Sequence, residues 1–294
     1  MENIILTGFY DLDYLTKGVK STELVLIGGR AGMGKTTVAL SIARNVVLKQ
    51  NIPTVYFSLE MSKTQVLNRI NTHSKNKVTA DLIIDDTPAL TVEGLSEKCW
   101  KLKEERHIGL IIIDCIQLLK CQNSDKSRSM WKLKQLAKEL NIPIIVTAQL
   151  FRPIDRRENH RPILQDLSEI GTIEQEVDKI IFLYRDEYYN RDTMYKGIIE
   201  LNLAKSSRGK TGTVQMAFIG DECIVANLSN GKDYEIKIDE IETNQIRRSY
   251  FEKGYDLVDE ELQTIDGRNV RKCYFSKEEN GIWSTLCVTM EYIK

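Results

Sequence analysis

A glycine-rich run, Gly29-Arg30-Ala31-Gly32-Met33-Gly34-Lys35-Thr36, limits the folds that are open to this chain. Apolar residues 24–28 precede the run and apolar residues recur at helical spacing through residues 36–49, so it joins a buried strand to a helix. Glycines there let backbone N–H groups converge on phosphate oxygens, and the helix N-terminus adds its positive dipole end. The motif predicts a phosphate-binding loop (P-loop) in which Lys35 reaches the β- and γ-phosphates and Thr36 ligates Mg²⁺. A glycine-rich turn without function is the alternative, which the strand–helix context disfavours.

Two carboxylates follow other predicted strands. Asp114 closes the apolar run 110–113, and Glu60 follows the strand 54–58. A carboxylate at the end of a strand beside the P-loop can hold the water shell of Mg²⁺, which we assign to Asp114, or polarise the attacking water, which we assign to Glu60. The alternatives are a strand-terminating aspartate and an ordinary surface glutamate.

Buried strands alternate with helices along the first 228 residues. The pattern predicts an α/β fold with a mostly parallel sheet covered by helices on both faces, and its last strands suit an antiparallel edge. Beyond residue 228 the pattern changes to short alternating segments, at 234–238, 271–275 and 282–290, with Asp266-Gly267 and Asn280-Gly281 turns. We therefore expect an ATPase-type domain at 1–228 and a small β-rich extension at 229–294.

Charge and cysteine content indicate the cellular location and the kinds of partner to expect for this chain. Lys and Arg total 41 against 42 Asp and Glu, so nucleic-acid binding would need a local basic patch. The extension carries 10 basic and 14 acidic side chains and is the acidic part of the chain. The six cysteines form no CxxC pair, and no signal peptide or apolar run of about 20 residues is present. We expect a cytoplasmic protein with free thiols and no membrane partner.

Eight blocks of sequence resemble the DnaB-type replicative helicases, in the order that this family has. They lie at residues 7–13 (Thr-Gly-Phe-Tyr-Asp-Leu-Asp), 57–62, 85–88, 113–118, 136–140, 161–162, 171–175 and 183–189. The resemblance covers about residues 7–220 and implies a RecA-like ATPase core that binds ATP between the subunits of a ring, expected to be a hexamer. It also implies translocation on single-stranded DNA during replication, with primase or a loader as possible protein partners.

The resemblance assigns roles residue by residue. Glu60 is the catalytic base and Asp114 the magnesium acid. Gln149 senses the γ-phosphate, unless it is an idle polar residue at the end of its strand. Arg185 stacks on adenine, unless it only forms a surface salt bridge with Asp186 or Glu187. The ATP contacts are Gly29, Arg30, Ala31, Gly32, Met33, Gly34, Lys35, Thr36, Thr37 and Arg185.

Two segments depart from the family pattern. The family has Lys-x-Arg before a glycine, whereas this chain has Lys205-Ser206-Ser207-Arg208-Gly209, with the arginine one residue late. Lys205 and Arg208 are therefore candidates for the catalytic contact with a neighbouring subunit's nucleotide. In the DNA-contacting loop at 166–171, Ser168 replaces the usual arginine, and nearby arginines could supply the missing charge. The DNA-binding candidates are Arg152, Arg156, Arg157, Ser168, Glu169 and Gly171.

Two shortenings leave a second function open. Residues 1–6 are too few for the family's helical N-terminal domain, and the chain is shorter than the family between residues 70 and 82. The resemblance therefore supports ATP binding more directly than ring assembly. The alternative is a RecA-fold ATPase that binds DNA or protein partners without unwinding, such as a recombinase-like filament former, a loader or a regulatory ATPase. A third hypothesis, nucleotide binding without turnover, is disfavoured by the intact Lys35, Thr36, Glu60, Asp114 and Gln149.

Overall fold

The computed structural model describes residues 4–71, 81–120, 126–170, 173–207, 210–220, 223–227, 234–238, 256–265, 268–279 and 282–292. The strands are β1 (Ile4–Ile5), β2 (Val19–Lys20), β3 (Leu24–Gly29), β4 (Thr54–Ser58), β5 (Leu82–Asp85), β6 (Leu110–Asp114), β7 (Ile144–Gln149), β8 (Lys179–Tyr184), β9 (Ile198–Ser206), β10 (Gly212–Ile219), β11 (Ile224–Asn227), β12 (Tyr234–Ile238), β13 (Asp256–Ile265), β14 (Arg268–Glu279) and β15 (Ile282–Tyr292). The helices are α1 (Tyr10–Thr16), α2 (Lys35–Gln50), α3 (Lys63–Asn71), α4 (Val92–Arg106), α5 (Lys126–Leu140) and α6 (Asp186–Tyr189). Short 3-10 helices cover Ile116–Leu118, Arg152–Arg156, Leu164–Ile170 and Ile173–Gln175.

One large sheet organises the chain. Its strand order is β13-β14-β15-β10-β9-β8-β3-β7-β6-β4-β5, with β11 also paired to β10 and β12 to β15. Neighbouring strands from β8 to β5 are parallel, and the ladder turns antiparallel at β8–β9 and β9–β10. Strands β1 and β2 form a small separate antiparallel pair.

The core lies on both faces of the central parallel strands, because β3, β4, β6 and β8 are buried along their whole length. Along β3, Val25 and Ile27 pack with α1, α2 and α3 on one face, whereas Leu24 and Leu26 pack with α4 and α5 on the other. Side chains alternate between faces along a strand, so a continuous apolar run is what a doubly covered strand requires.

The strand register brings the predicted site residues to one edge of the sheet. Gly29, at the end of β3, lies opposite Gln149 on β7, and Ser58, at the end of β4, lies opposite Asp114 on β6. The carboxyl ends of parallel strands are where α/β folds bind ligands, because the loops that follow the strands meet there. The P-loop and both predicted carboxylates therefore share this edge.

The α/β fold with an antiparallel edge and a β-rich C-terminal region is confirmed. The three segments expected after residue 228 all fall within strands β12, β14 and β15. β15 pairs with β10 through Thr213↔Ile282 and Val214↔Trp283, so these strands continue the main sheet. The division into two domains at residue 228 stays a prediction. Strand β13 was not predicted, because its acidic residues interrupt the apolar alternation.

Within the described part of the chain, no helix combines the length and the apolar character needed to span a bilayer.

Candidate active site

The P-loop adopts a conformation that depends on glycine at two positions. Gly32 has φ +78° and Gly34 has φ +91°, both in the left-handed region that other L-residues avoid. A Cβ on Gly34 would also lie 2.7 Å from Cε2 of Phe218. Helix α2 then begins at Lys35. Backbone in such conformations forms an anion-binding concavity, so this loop suits phosphate oxygens.

Lys35 lies over the loop from which it projects. Its Nζ donates to the carbonyl oxygen of Arg30 at 3.1 Å. Burial lowers the pKa of Lys35, and the neighbouring Cys115, Asp114 and Glu60 oppose that shift. The hydrogen-bond acceptor of this ammonium is thus a neutral carbonyl, which phosphate oxygens can replace.

Asp114 is held by three hydroxyl groups from three different elements. Its Oδ2 accepts hydrogen bonds from Thr36 Oγ1 at 2.8 Å and from the Tyr56 hydroxyl at 2.9 Å, and its Oδ1 accepts one from Thr147. Asp114 is 2% exposed. Carboxylate and hydroxyl oxygens are the ligands that Mg²⁺ prefers, so the Thr36–Asp114 pair fits this ion.

Tyr56 and Thr147 have roles that the sequence did not reveal. Both lie on the strands that flank β6, and both are fully buried. Burial, and then the charge of Asp114, raises the pKa of Tyr56 well above its usual value, so the phenol remains a hydrogen-bond donor. A polar side chain inside an otherwise apolar strand was the available signal, but only the strand register shows which carboxylate it reaches.

Glu60 differs from Asp114 in being exposed. Among the described residues its carboxylate has no hydrogen-bond or ion-pair partner, although its charge acts on Lys35. The backbone beside it is fixed, because Leu59 N donates to the Asp114 carbonyl at 2.7 Å and Ser58 Oγ donates to the Met61 carbonyl at 2.6 Å. A fixed backbone with free carboxylate oxygens is what a general base needs.

Gln149 ends β7 directly beside the start of the P-loop. The side chain of Gln117 clamps its backbone: Gln117 Nε2 donates to the Gln149 carbonyl at 2.9 Å, and Gln149 N donates to Gln117 Oε1 at 3.1 Å. Cys115 Sγ donates to the same Oε1 at 2.6 Å. The Gln149 side chain is exposed, so it is available to a ligand in the loop. The clamp by Gln117 was not foreseen.

Arg185 makes the salt bridge that the sequence offered as one of its two interpretations. It forms an ion pair with Glu187, donates to the Gly32 carbonyl at 3.2 Å and stacks over the Phe218 ring at 3.7 Å. Tyr188 lies against the same loop, since a Cβ on Gly32 would be 3.0 Å from its Cε2. The predicted contact with adenine remains a prediction, now with two aromatic neighbours that were not foreseen.

The side chain of Arg30 is directed away from the phosphate-binding loop. Its guanidinium makes a bidentate pair with Asp155, Nε to Oδ1 at 3.0 Å and the second contact at 2.5 Å, and donates to the Leu150 carbonyl at 2.8 Å. The hydrogen bond from Arg30 lowers the pKa of Asp155. Any contact of Arg30 with a nucleotide in this conformation therefore comes from its backbone.

Lys205 and Arg208 are the two candidates for a contact between subunits, and the structure describes only Lys205. Lys205 Nζ donates to the carbonyl oxygens of Glu174 at 2.5 Å and Val177 at 2.8 Å within its own chain. Arg208 lies outside the described residues. The predicted catalytic role of both residues stays a prediction.

The predicted DNA-binding arginines are not all free charges. Arg157, a candidate DNA contact from the sequence, makes a bidentate pair with Asp166 at 3.1 and 2.8 Å. Arg156 is exposed and has no ion-pair partner among the described residues. Arg152, Ser168 and Glu169 lie in the 3-10 helices Arg152–Arg156 and Leu164–Ile170, and Gly171 lies outside the described residues. The DNA contacts stay a prediction.

A parallel sheet with a P-loop at its carboxyl edge, beside a hydroxyl-bound aspartate and a free glutamate, places the chain among P-loop ATPases with a RecA-like core. The model of the DnaB-like helicase C terminal domain matches residues 5–79 and 68–224, and the chain belongs to this family. The two matched segments overlap at residues 68–79, where the sequence predicts a shortened chain.

Relatives and solved structures agree with this assignment. The replicative DNA helicase DnaB of Geobacillus stearothermophilus is 38% identical over 261 residues, which are 78% of this chain and 58% of the relative's length. A solved ATPase domain has a TM-score of 0.69 at 31% identity, and the match covers 76% of this chain and 91% of that domain. A second solved structure, "The Structure Of A DnaB-Like Replicative Helicase And Its Interactions With Primase", matches with a TM-score of 0.70 at 31% identity. The match covers 76% of this chain and 62% of that chain. The chain therefore spans little more than half the length of the curated relative.

Proposed function

We propose that this protein is an ATP-dependent helicase of the DnaB type, which hydrolyses ATP to translocate on single-stranded DNA and unwind duplex DNA in replication. The observation that carries the proposal is the pair of unlike carboxylates beside the P-loop. Asp114 is buried and bonded to Thr36, whereas Glu60 is exposed without a partner among the described residues. Phosphoryl transfer to water needs two such groups, one that helps to hold the metal ion and one that accepts the proton of the attacking water.

Each residue contributes a distinct part to ATP hydrolysis. The backbone of the P-loop and Lys35 bind the phosphates, and Thr36 and Asp114 would hold Mg²⁺, which supplies charge neutralisation at the β- and γ-phosphates when bound. Tyr56 and Thr147 orient Asp114 through their hydroxyl groups. Glu60 accepts the proton of the attacking water at its free carboxylate.

Coupling to DNA is assigned to the strand end of β7 and the loops that follow it. Gln149 contacts the γ-phosphate, and the segments 152–157 and 164–170 contact single-stranded DNA. The exposed guanidinium of Arg156 supports the first of these segments as a phosphate contact.

We further propose a hexameric ring in which Arg208 or Lys205 of one subunit reaches the nucleotide of the next. The proposal rests on family membership. Because Lys205 is already hydrogen-bonded within its own chain, Arg208 is the favoured contact with the neighbouring subunit's nucleotide. A replication helicase would act in the cytoplasm, with primase or a loader as a protein partner; a solved relative's interactions with primase support this partner class.

The test is the rate of ATP hydrolysis with and without single-stranded DNA, together with the mass of the assembly in solution. We expect stimulation by DNA and a ring-sized mass, both with Lys35→Ala as the inactive control. An equal rate of hydrolysis with and without DNA, together with a mass of one or two subunits, would instead favour an ATPase that does not unwind DNA.

A further inference from the structure

A bidentate ion pair joins the P-loop to the segment after β7. Arg30, inside the loop, holds both carboxylate oxygens of Asp155, which lies in the 3-10 helix Arg152–Arg156. Arg30 is further anchored by its bond to the Leu150 carbonyl, one residue after Gln149. Arg30 is the more shielded partner, with side-chain exposures of 15% for Arg30 and 35% for Asp155. A planar guanidinium bound at both oxygens fixes direction as well as distance.

A second bidentate pair starts from the same turn. Arg157 follows Asp155 by two positions and holds both oxygens of Asp166, which lies in the 3-10 helix Leu164–Ile170. Asp166 is 9% exposed in its side chain and also accepts the Ile163 amide at 2.8 Å. Arg157 in turn donates to the Arg161 carbonyl at 3.0 Å. The second pair therefore ties the turn to the loop assigned to DNA.

Aromatic packing stiffens the turn that the two pairs share. The Tyr189 hydroxyl donates to Asp155 Oδ1 at 3.0 Å, and the Tyr189 ring stacks on His160 at 4.0 Å. A turn held from both sides moves as a unit when one of its ion pairs is displaced, because paired groups in packed surroundings do not deform continuously.

We propose that Arg30, Asp155, Arg157 and Asp166 form an ion-pair relay that transmits the nucleotide state of the P-loop to the segment 164–170. Asp155 and Asp166 are then positioning residues for DNA-stimulated hydrolysis, and Arg157 serves the relay rather than a DNA phosphate. The relay depends on the proposed function only for its DNA readout. Nucleotide binding alone is already expected to change the conformation of segment 164–170.

The chain offers a matched control in the same region. Arg161 makes a bidentate pair with Glu200 on β9, with both contacts at 2.7 Å, and stacks over Tyr184 at 4.3 Å. This pair has the same chemistry and comparable exposure, but neither member contacts the P-loop. Glu200→Gln therefore removes a bidentate carboxylate without interrupting the relay.

The decisive experiment compares amide hydrogen exchange of segment 164–170 with and without a non-hydrolysable ATP analogue. We expect a nucleotide-induced change in the parent protein and in Glu200→Gln, and its loss in Asp155→Asn and Asp166→Asn, with analogue affinity retained in all four. Asp155→Glu keeps a carboxylate and should restore the response. Because the pairs act in series, the double Asn variant should lose no more than either single variant, whereas independent structural effects would add.

A second readout measures stimulation of ATP hydrolysis by single-stranded DNA. We expect this stimulation to fall about fivefold or more in the two Asn variants. An unchanged exchange response in Asp155→Asn, or its absence from the parent protein, would overturn the relay. If the parent shows the exchange response but no DNA stimulation, the relay stands and the proposed helicase function fails.

Discussion

The two ends of the proposed mechanism are built from different interactions. At the nucleotide site, Asp114 is buried and bound by neutral hydroxyl groups from rigid strands and from α2. In the segments assigned to DNA, the carboxylates of Asp155 and Asp166 are bound by arginines on short turns. Hydroxyl groups hold a carboxylate in place without neutralising it, which leaves its charge for a metal ion, whereas ion pairs at partly exposed positions are strengthened or weakened by nearby charge.

This contrast teaches that chemistry and its control are separated along the sheet edge. The candidate catalytic groups end or follow strands that pack on both faces of the core, so the fold fixes the backbone that positions them. The DNA segments follow β7 without a ladder of their own and depend on side-chain pairs. Substitutions in the first region should lower ATP binding or turnover directly, whereas the second region should also respond to salt.

The largest effect on ATP binding is expected at the P-loop. Lys35→Ala removes the ammonium that would contact the β- and γ-phosphates, so ATP binding should fall by about 100-fold or more, as expected when a buried charge loses its partner. Titration with a fluorescent ATP analogue measures this, and circular dichroism checks the fold. Normal affinity in this variant would disprove the assignment of the nucleotide site.

The next effect separates binding from turnover within the same region. Glu60→Gln keeps the shape of the side chain but cannot accept a proton, so turnover should fall by about 10²–10⁴-fold while ATP affinity is retained. Steady-state phosphate release and equilibrium binding give the two quantities. Glu93, an exposed glutamate in the first turn of α4, offers a control, because Glu93→Gln should leave turnover unchanged. Parental turnover in Glu60→Gln would require another carboxylate as the base.

A smaller effect is expected in the DNA segments and can be seen without any substitution. A nearly neutral chain must concentrate its phosphate contacts in a few loops, so raising salt from about 50 to 200 mM should weaken single-stranded DNA binding about tenfold for a few contacts. ATP affinity should change far less over the same range. Fluorescence anisotropy with a labelled oligonucleotide tests this prediction. A DNA affinity that does not change with salt would argue against binding through phosphate contacts.

The smallest effect probes the hydroxyl groups around Asp114. Tyr56→Phe removes one donor but leaves those of Thr36 and Thr147, so we expect a loss of about 1–2 kcal/mol in unfolding free energy and a drop in turnover of about tenfold. Denaturant unfolding and phosphate release measure the two. Tyr14→Phe, at a partly buried tyrosine of α1 away from the site, is the matched control. Stability and turnover both equal to the parent would show that the phenol does not position Asp114.

Several site residues could be predicted from the sequence because their position relative to a local pattern is enough. The P-loop lies between a continuous apolar run and a helical repeat, so its identity needs no tertiary information. Glu60 and Asp114 each end or follow a largely apolar strand, and parallel strands bring such ends to one edge. The resemblance to a known family singled out Gln149 and Arg185, as well as the candidate contacts with DNA and with a neighbouring subunit.

The partners of these residues were beyond sequence reasoning. Nothing in the spacing of Tyr56 and Asp114 indicates a hydrogen bond, because it depends on β4 and β6 being neighbours in a given register. The sequence predicts Arg157 as a DNA contact, and only the tertiary structure places the carboxylate of Asp166 opposite it. Strand β13 went unnoticed because acidic residues mask its alternation.

Amino-acid order along the chain thus determined which groups are candidates for chemistry here: a phosphate-binding loop, an acid for Mg²⁺, a base and a sensor, each near the end of a local element. Tertiary structure alone decided which of the charges remain free to act. A side chain's charge is read from the sequence, but its availability depends on the partner that folding brings within about 3 Å. Such a partner can lie far away in the sequence: Arg30 and Asp155 are 125 positions apart.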